Sequence, residues 1–115
     1  MLFTCRIKQN KLFSALYRKG TSIVGKACVV YFRKNGKPFN RMGVASSKKI
    51  GNAVKRNRAR RVIRAAYRLS EKDFPIGYDF IFVARTAACS VKSGTILAFF
   101  KKSVIPAVNK YGEKN

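Results

Sequence analysis

The sequence predicts an α+β domain in which helices pack on a β-sheet, and three observations carry that expectation. Residues 53–69 form the strongest helix in the chain, residues 27–33 are β-branched and aromatic, and Tyr78–Arg85 is continuously apolar. At 115 residues, 47% of them apolar, the chain suffices for one compact domain spanning 1–115. No internal repeat, low-complexity tract or linker divides it.

The elements follow in order. Residues 10–19 are expected as a short helix, because Leu12 and Leu16 form one i,i+4 pair and Phe13 and Tyr17 another, with Gly20 as the stop. An extra strand is allowed near Thr21–Val24. Residues 27–33 are a strand with Cys28, Val30 and Phe32 on one face and Val29, Tyr31 and Arg33 on the other. Asn35-Gly36 signals a turn into a second strand near 41–46, a hairpin whose register the sequence does not specify. After the polar loop Ser46–Asn52, Asn52 is positioned to cap the helix at 53–69. Glu71 and Asp73 mark a turn before Phe74-Pro75. Tyr78–Arg85 reads as a buried central strand. A last helix is expected over about 93–104, stopping before Pro106, with Gly94 weakening its start. The ends, about 1–8 and 110–115, are candidates for disorder and carry no assigned role.

Charge narrows the function. Lys and Arg number 26 against 4 Asp and Glu, a formal net charge of +22. All four acids, Glu71, Asp73, Asp79 and Glu113, follow Ser70, so internal ion pairs cannot neutralise most of the basic side chains before it. Such self-repulsion points to a polyanionic partner, with nucleic acid ahead of anionic membrane. The longest apolar runs, Phe80–Ala84 and Ile96–Phe100, are far too short to span a bilayer. Cys5, Cys28 and Cys89 are widely spaced and the chain has no His, so no zinc-ligand pattern exists. Unpatterned thiols and an N-terminus without an apolar signal core suit the cytoplasm.

On a helix over 53–69, Arg56, Arg60, Arg64 and Arg68 recur every four residues as a stripe about 18 Å long. Arg61 flanks the stripe, and Arg58 and Lys55 lie farther round. Val54, Val62, Ala65, Ala66 and Leu69 are expected to anchor the opposite side. No acid within the helix offers a salt bridge, so the like charges only repel one another. Phosphates explain that arrangement better than solvation does, and guanidinium groups both grip phosphate bidentately and stack on exposed bases. A second constellation sets Phe13, Tyr17 and Tyr31 beside Arg18, Lys19 and Arg33. It resembles a single-strand surface where bases stack and cations track the backbone, although Phe13 and Tyr17 serve equally well as core residues. With no His and few, mostly separated acids, no protein-borne catalytic site is expected.

The run Ser47-Lys48-Lys49-Ile50-Gly51-Asn52-Ala53-Val54-Lys55-Arg56-Asn57-Arg58-Ala59-Arg60-Arg61-Val62-Ile63-Arg64 closely resembles the signature of the bacterial ribonuclease P protein. Further matches are Phe13 through Lys19-Gly20-Thr21-Ser22, the Val-Val-Tyr ending at Tyr31, Arg41-Met42-Gly43-Val44, and Asp79 through Ala84-Arg85. The resemblance covers roughly residues 8–104. It departs at Ala59, where the family usually has a larger aliphatic residue, which is expected to loosen helix packing slightly.

The resemblance implies a single-domain α/β sandwich with a mixed sheet and an unusual left-handed β-α-β crossover through the arginine helix. It implies that Arg56, Asn57, Arg58, Arg60, Arg61 and Arg64 contact the catalytic ribonuclease P RNA, with Arg68 continuing the stripe and Lys48 and Lys49 extending the basic surface. A cleft with Phe13, Tyr17 and Tyr31, bordered by Arg33, would hold the single-stranded 5′ leader of precursor tRNA. The implied enzyme is an endoribonuclease that removes the leader, its catalytic centre in the RNA subunit and its Mg2+ held mainly by RNA. Neither a membrane nor a protein partner is implied. A ribosomal or other generic structured-RNA-binding protein would share the charge but would not require this run together with the aromatics.

Overall fold

A computed structural model describes residues 2–7 and 10–114. The elements in chain order are β1 (Thr4–Arg6), α1 (Asn10–Lys19), β2 (Thr21–Val24), β3 (Cys28–Lys34), β4 (Asn40–Ser46), α2 (Ala53–Ser70), β5 (Tyr78–Ala84), α3 (Ser93–Phe99) and α4 (Ile105–Lys114). The sheet order is β1-β4-β5-β3-β2. β4 runs parallel to β1 and β5, whereas β3 runs antiparallel to β5 and β2.

The alternation expected of β3 sorts residues between two layers. Cys28, Val30 and Phe32 point with Met42, Phe80 and Phe82 into a core closed by α2, α3 and α4. On the other face α1 alone covers the sheet, with Leu16 buried against Ile81 and Ile7. β5 is buried along almost its whole length because helices lie over both of its faces.

Chirality fixes the hand of the crossover. With a strand running upward, an L-residue whose side chain faces the viewer directs its own N–H and C=O to the viewer's right. Met42 faces α2, and its carbonyl accepts from the Ile7 amide at 2.7 Å, next to β1. Seen from α2, β1 therefore lies right of β4 and β5 lies left. The path β4-α2-β5 moves leftward over the helix, against the usual right-handed rule.

Three expectations need correction. β3 and β4 are not a paired hairpin: β5 inserts between them, hydrogen-bonded to both. A strand apolar on both faces is best placed with a partner on each side. The C-terminal helical segment also does not stop before Pro106. A wide π turn over Phe100–Val104, where the Ile105 amide donates to the Phe100 carbonyl, leads into α4, with Pro106 in its first turn. Finally, Val54 and Leu69 do not anchor α2. They are 73% and 66% exposed, and the buried side is Ala59, Val62, Ile63, Ala66, Tyr67 and Ser70. Ala59 is fully buried in that contact.

The expectation of disordered ends falls partly on residues 1, 8 and 115, which lie outside the described ones. Within the described residues, β1 pairs with β4 and α4 reaches Lys114. Glu71 tethers β1. Its carboxylate accepts from the Leu2 amide at 2.8 Å, the Phe3 amide at 3.1 Å and the Thr4 hydroxyl at 2.5 Å. Burial alone would raise its pKa, but these hydrogen bonds outweigh burial and hold it below the ordinary value.

Candidate nucleic-acid interface

α2 begins where Asn52 caps it, its Oδ1 accepting from the Val54 amide at 2.8 Å and the Lys55 amide at 3.4 Å. From there the helix turns its basic residues through a spiral. Four-residue spacing drifts by about 40° per step at 3.6 residues per turn. Arg56 thus starts beside the buried side and Arg68 ends facing solvent. Arg61, expected as a flank, sits near the middle of the outward face together with Asn57 and Arg68, all three exposed.

The half-buried arginines lie along the β4 side. Arg56 reaches the Ile50 carbonyl at 3.5 Å, and Arg60 donates to the Ser46 hydroxyl at 3.1 Å and to the Asn57 side-chain oxygen. On the other flank Arg58 donates through Nε to the Cys89 carbonyl at 3.1 Å. These contacts use neutral oxygens, so every positive charge remains uncompensated. Among the described residues the ion pair present joins Arg41 to Asp79, with Nε–Oδ1 at 2.8 Å and Nη2–Oδ2 at 2.7 Å. Glu71 follows Arg68 by three residues but turns inward to β1.

Arg64 is the most strained of these charges. Its Nε is buried without a hydrogen-bond partner, and its pKa is lowered by burial and by the neighbouring charges of Arg6 and Arg60. With Val54, Asn57 and Arg61 it lines an open hollow of about 370 Å³. Arg6 escaped the sequence reading because nothing in the sequence placed residues 4–6 on the sheet edge beside α2. Lys48 and Lys49 are exposed in the loop before α2.

The aromatic constellation assembles on the opposite face of the sheet. Tyr17 meets Tyr31 edge to face with centroids 5.0 Å apart, and Phe13 lies 6.5 Å from Tyr17. Phe13 sits down on Gly43, where a Cβ would come within 2.6 Å of its ring, so only glycine admits it. Phe13 is half-buried against the α1 core, whereas Tyr17 is 44% exposed and Tyr31 half-buried. Arg33 is half-buried in the same strand face, in register with Asp79. Burial, and then the neighbouring Tyr31, raise the pKa of Tyr17, which keeps its hydroxyl a neutral donor. Cys28 is inert, its thiol pushed up to about 12 by burial.

The chain as a whole is similar to known proteins over most of its length. Residues 1–107 match the family model described as Ribonuclease P. The chain is 41% identical to the ribonuclease P protein component of Pelotomaculum thermopropionicum, over 86% of this chain and 92% of that protein. It is 38% identical to that of Clostridium acetobutylicum, over 96% and 95%. The ribonuclease P protein of Staphylococcus aureus superposes with a TM-score of 0.75 at 33% identity, covering 89% of this chain and 94% of that one. That of Thermotoga maritima gives 0.71 at 28%, covering 81% and 88%. No described helix is long and apolar enough to cross a membrane. The chain belongs to the ribonuclease P protein family, as the component that works with the ribonuclease P RNA in the endoribonuclease of tRNA 5′ processing.

Proposed function

We propose that the outward face of α2 grips phosphates of the ribonuclease P RNA while the α1–β3 cleft holds the 5′ leader of precursor tRNA. Arg56, Asn57, Arg58, Arg60, Arg61, Arg64 and Arg68, with Lys48 and Lys49, make up the first surface. Phe13, Tyr17, Tyr31 and Arg33 make up the second. The observation that carries the reading is Arg64. A half-buried guanidinium with an orphaned Nε, beside two like charges and no acid, is relieved by an anion. The cleft fits an unpaired strand because its rings are partly exposed and have cations at their border.

Magnesium belongs on the RNA in this proposal. Among the described residues no three of His, Cys, Asp and Glu converge, Asp79 is held by Arg41, and Glu71 by β1. The donor set therefore does not fit a protein-held ion. The protein acts by screening RNA repulsion and positioning the leader, which is catalysis by preorganisation. Three unpaired thiols suit a cytoplasmic setting.

Reconstitution tests the reading: the protein is mixed with a bacterial ribonuclease P RNA and precursor-tRNA cleavage is assayed at low magnesium. Cleavage that requires the RNA and is strongly enhanced by the protein is expected. RNA binding without enhancement would overturn the proposed screening and positioning role.

A further inference from the structure

Two hollows adjoin at the end of the sheet where β4 and β5 finish, away from the α1 cleft. One, of about 250 Å³, is lined by Lys26, Ser47, Lys49, Arg85, Thr86 and Ala87. The other, of about 350 Å³, is mainly apolar and lined in part by Ala27, Val91, Ile96 and Phe99. Lys26 and Ala87 line both, so the two lie side by side.

We propose that this double hollow binds one unpaired nucleotide of an RNA strand, its phosphate on the basic side and its base on the apolar side. Three cations and two hydroxyls meet in the first hollow without an acid. Arg85 is held in place by Nη1 donating to the Gly25 carbonyl at 2.8 Å, which leaves Nε and Nη2 for a phosphate. The Ser47 hydroxyl oxygen accepts from the Lys49 amide at 3.2 Å and keeps its proton to donate. The frame is stiff: the Ser47 amide bonds the Ala84 carbonyl and the Arg85 amide the Ala27 carbonyl, both at 2.9 Å.

The second hollow suits a planar heterocycle. Phe99, Ile96 and Val91 supply apolar wall, and Ser90 and Thr95 place hydroxyls at its lining for the base edge. Gly25 fixes Phe99, because a Cβ there would lie 2.6 Å from the ring. A strand is the source that fits best. The hollow sits beside the start of α2, to which the Thr86–Cys89 turn is joined through Arg58 and the Cys89 carbonyl. The choice of a strand rests on the proposed RNA surface of α2, with which the site shares Lys49, whereas the site itself depends on neither that grip nor the leader cleft.

The test is an NMR titration of the full chain with adenosine 5′-monophosphate, adenosine, inorganic phosphate and pentaadenylate, each followed at the amides of Lys26, Ala87, Ser90 and Val91. The monophosphate should bind there about tenfold more tightly than adenosine or phosphate, as expected when stacking and charge act together. Ala87→Leu should weaken the monophosphate about tenfold and leave phosphate unchanged, whereas Lys26→Gln should weaken both. Lys26 is exposed, so this second variant stays informative if Ala87→Leu misfolds. Pentaadenylate binding more tightly at the same amides assigns the site to a strand. The monophosphate binding alone would overturn that source. Shifts confined to α2 and the Tyr17–Tyr31 cleft, or an Ala87→Leu variant with unchanged affinity, would overturn the site itself.

Discussion

The two faces of the sheet use aromatic residues in opposite ways. On the side covered by α2, α3 and α4, Tyr67, Phe74, Phe80, Phe82 and Phe100 pack ring against ring, with Phe74–Phe80 and Phe82–Phe100 centroids 5.1 Å apart. The rings there are closed off, and what this layer offers outward is charge on α2. On the side covered by α1 alone, Tyr17 and Tyr31 remain partly exposed and their ring edges are themselves surface. If the proposed surfaces are right, the first face separates stability from binding by putting them on opposite sides of one helix. In the same proposal the second places both roles on the same rings. Substitutions should therefore sort cleanly on the first face and mix effects on the second.

The largest expected effect is on the closed core. Phe82→Ala should cost about 3–5 kcal/mol in urea denaturation, enough to threaten a domain of ordinary stability. Next comes the outer side of the same layer. Replacing Arg58, Arg61 and Arg64 together with Ala should lower affinity for ribonuclease P RNA at least about 100-fold, since a hydrogen bond to a charged group contributes roughly 1.5–3 kcal/mol. The slope of log affinity against log salt should fall by about 2–3. The folded protein should lose little stability, because removing like charges from α2 offsets the lost Arg58–Cys89 hydrogen bond. A loss of stability comparable to Phe82→Ala would break the separation.

On the open face, Tyr31→Ala should weaken leader-containing precursor tRNA about tenfold more than mature tRNA, in line with one lost stacking partner. Equal weakening would make Tyr31 purely a packing residue. The smallest effect concerns the tether of β1. Glu71 has a folded pKa below its ordinary 4.5, so its stabilisation is present above that value and lost as pH falls through the folded pKa. Glu71→Gln should cost about 1–2 kcal/mol at neutral pH. The difference from the parent protein should shrink as pH falls through that lowered pKa, read by denaturation across pH.

Local signals were readable where one residue type has one physical use. Asn52 caps α2, Gly20 ends α1 with its amide on the Leu16 carbonyl at 2.8 Å, and β5 is buried as its composition demands. Strand order was not readable, because Asn35-Gly36 signals a turn without saying which strand the next one joins. β1 is too short to show periodicity, and its place depends on Glu71 nearly seventy residues away. Of the site, the residue types on α2 were legible but their facing was not. Val54 and Leu69 look like anchors by composition, yet Tyr67 and Ile63 hold the core, and that choice fixes Arg61 rather than Arg56 at the centre of the exposed side.

The π turn at Phe100–Val104 acts as a phase shifter between α3 and α4. Val104 and Val108 are fully buried and Tyr111 meets Phe32 edge to face at 5.4 Å only because one extra residue is absorbed there. Deleting Lys102 would close the turn to an ordinary α-helical count with the rest still in place, whereas closing it with every residue kept would rotate everything beyond it by about 100°. Tyr111 and Val108 would swing off the sheet while neighbouring lysines swung toward it. The C-terminal helix is thus indexed to the core by the number of residues before it as much as by their identity.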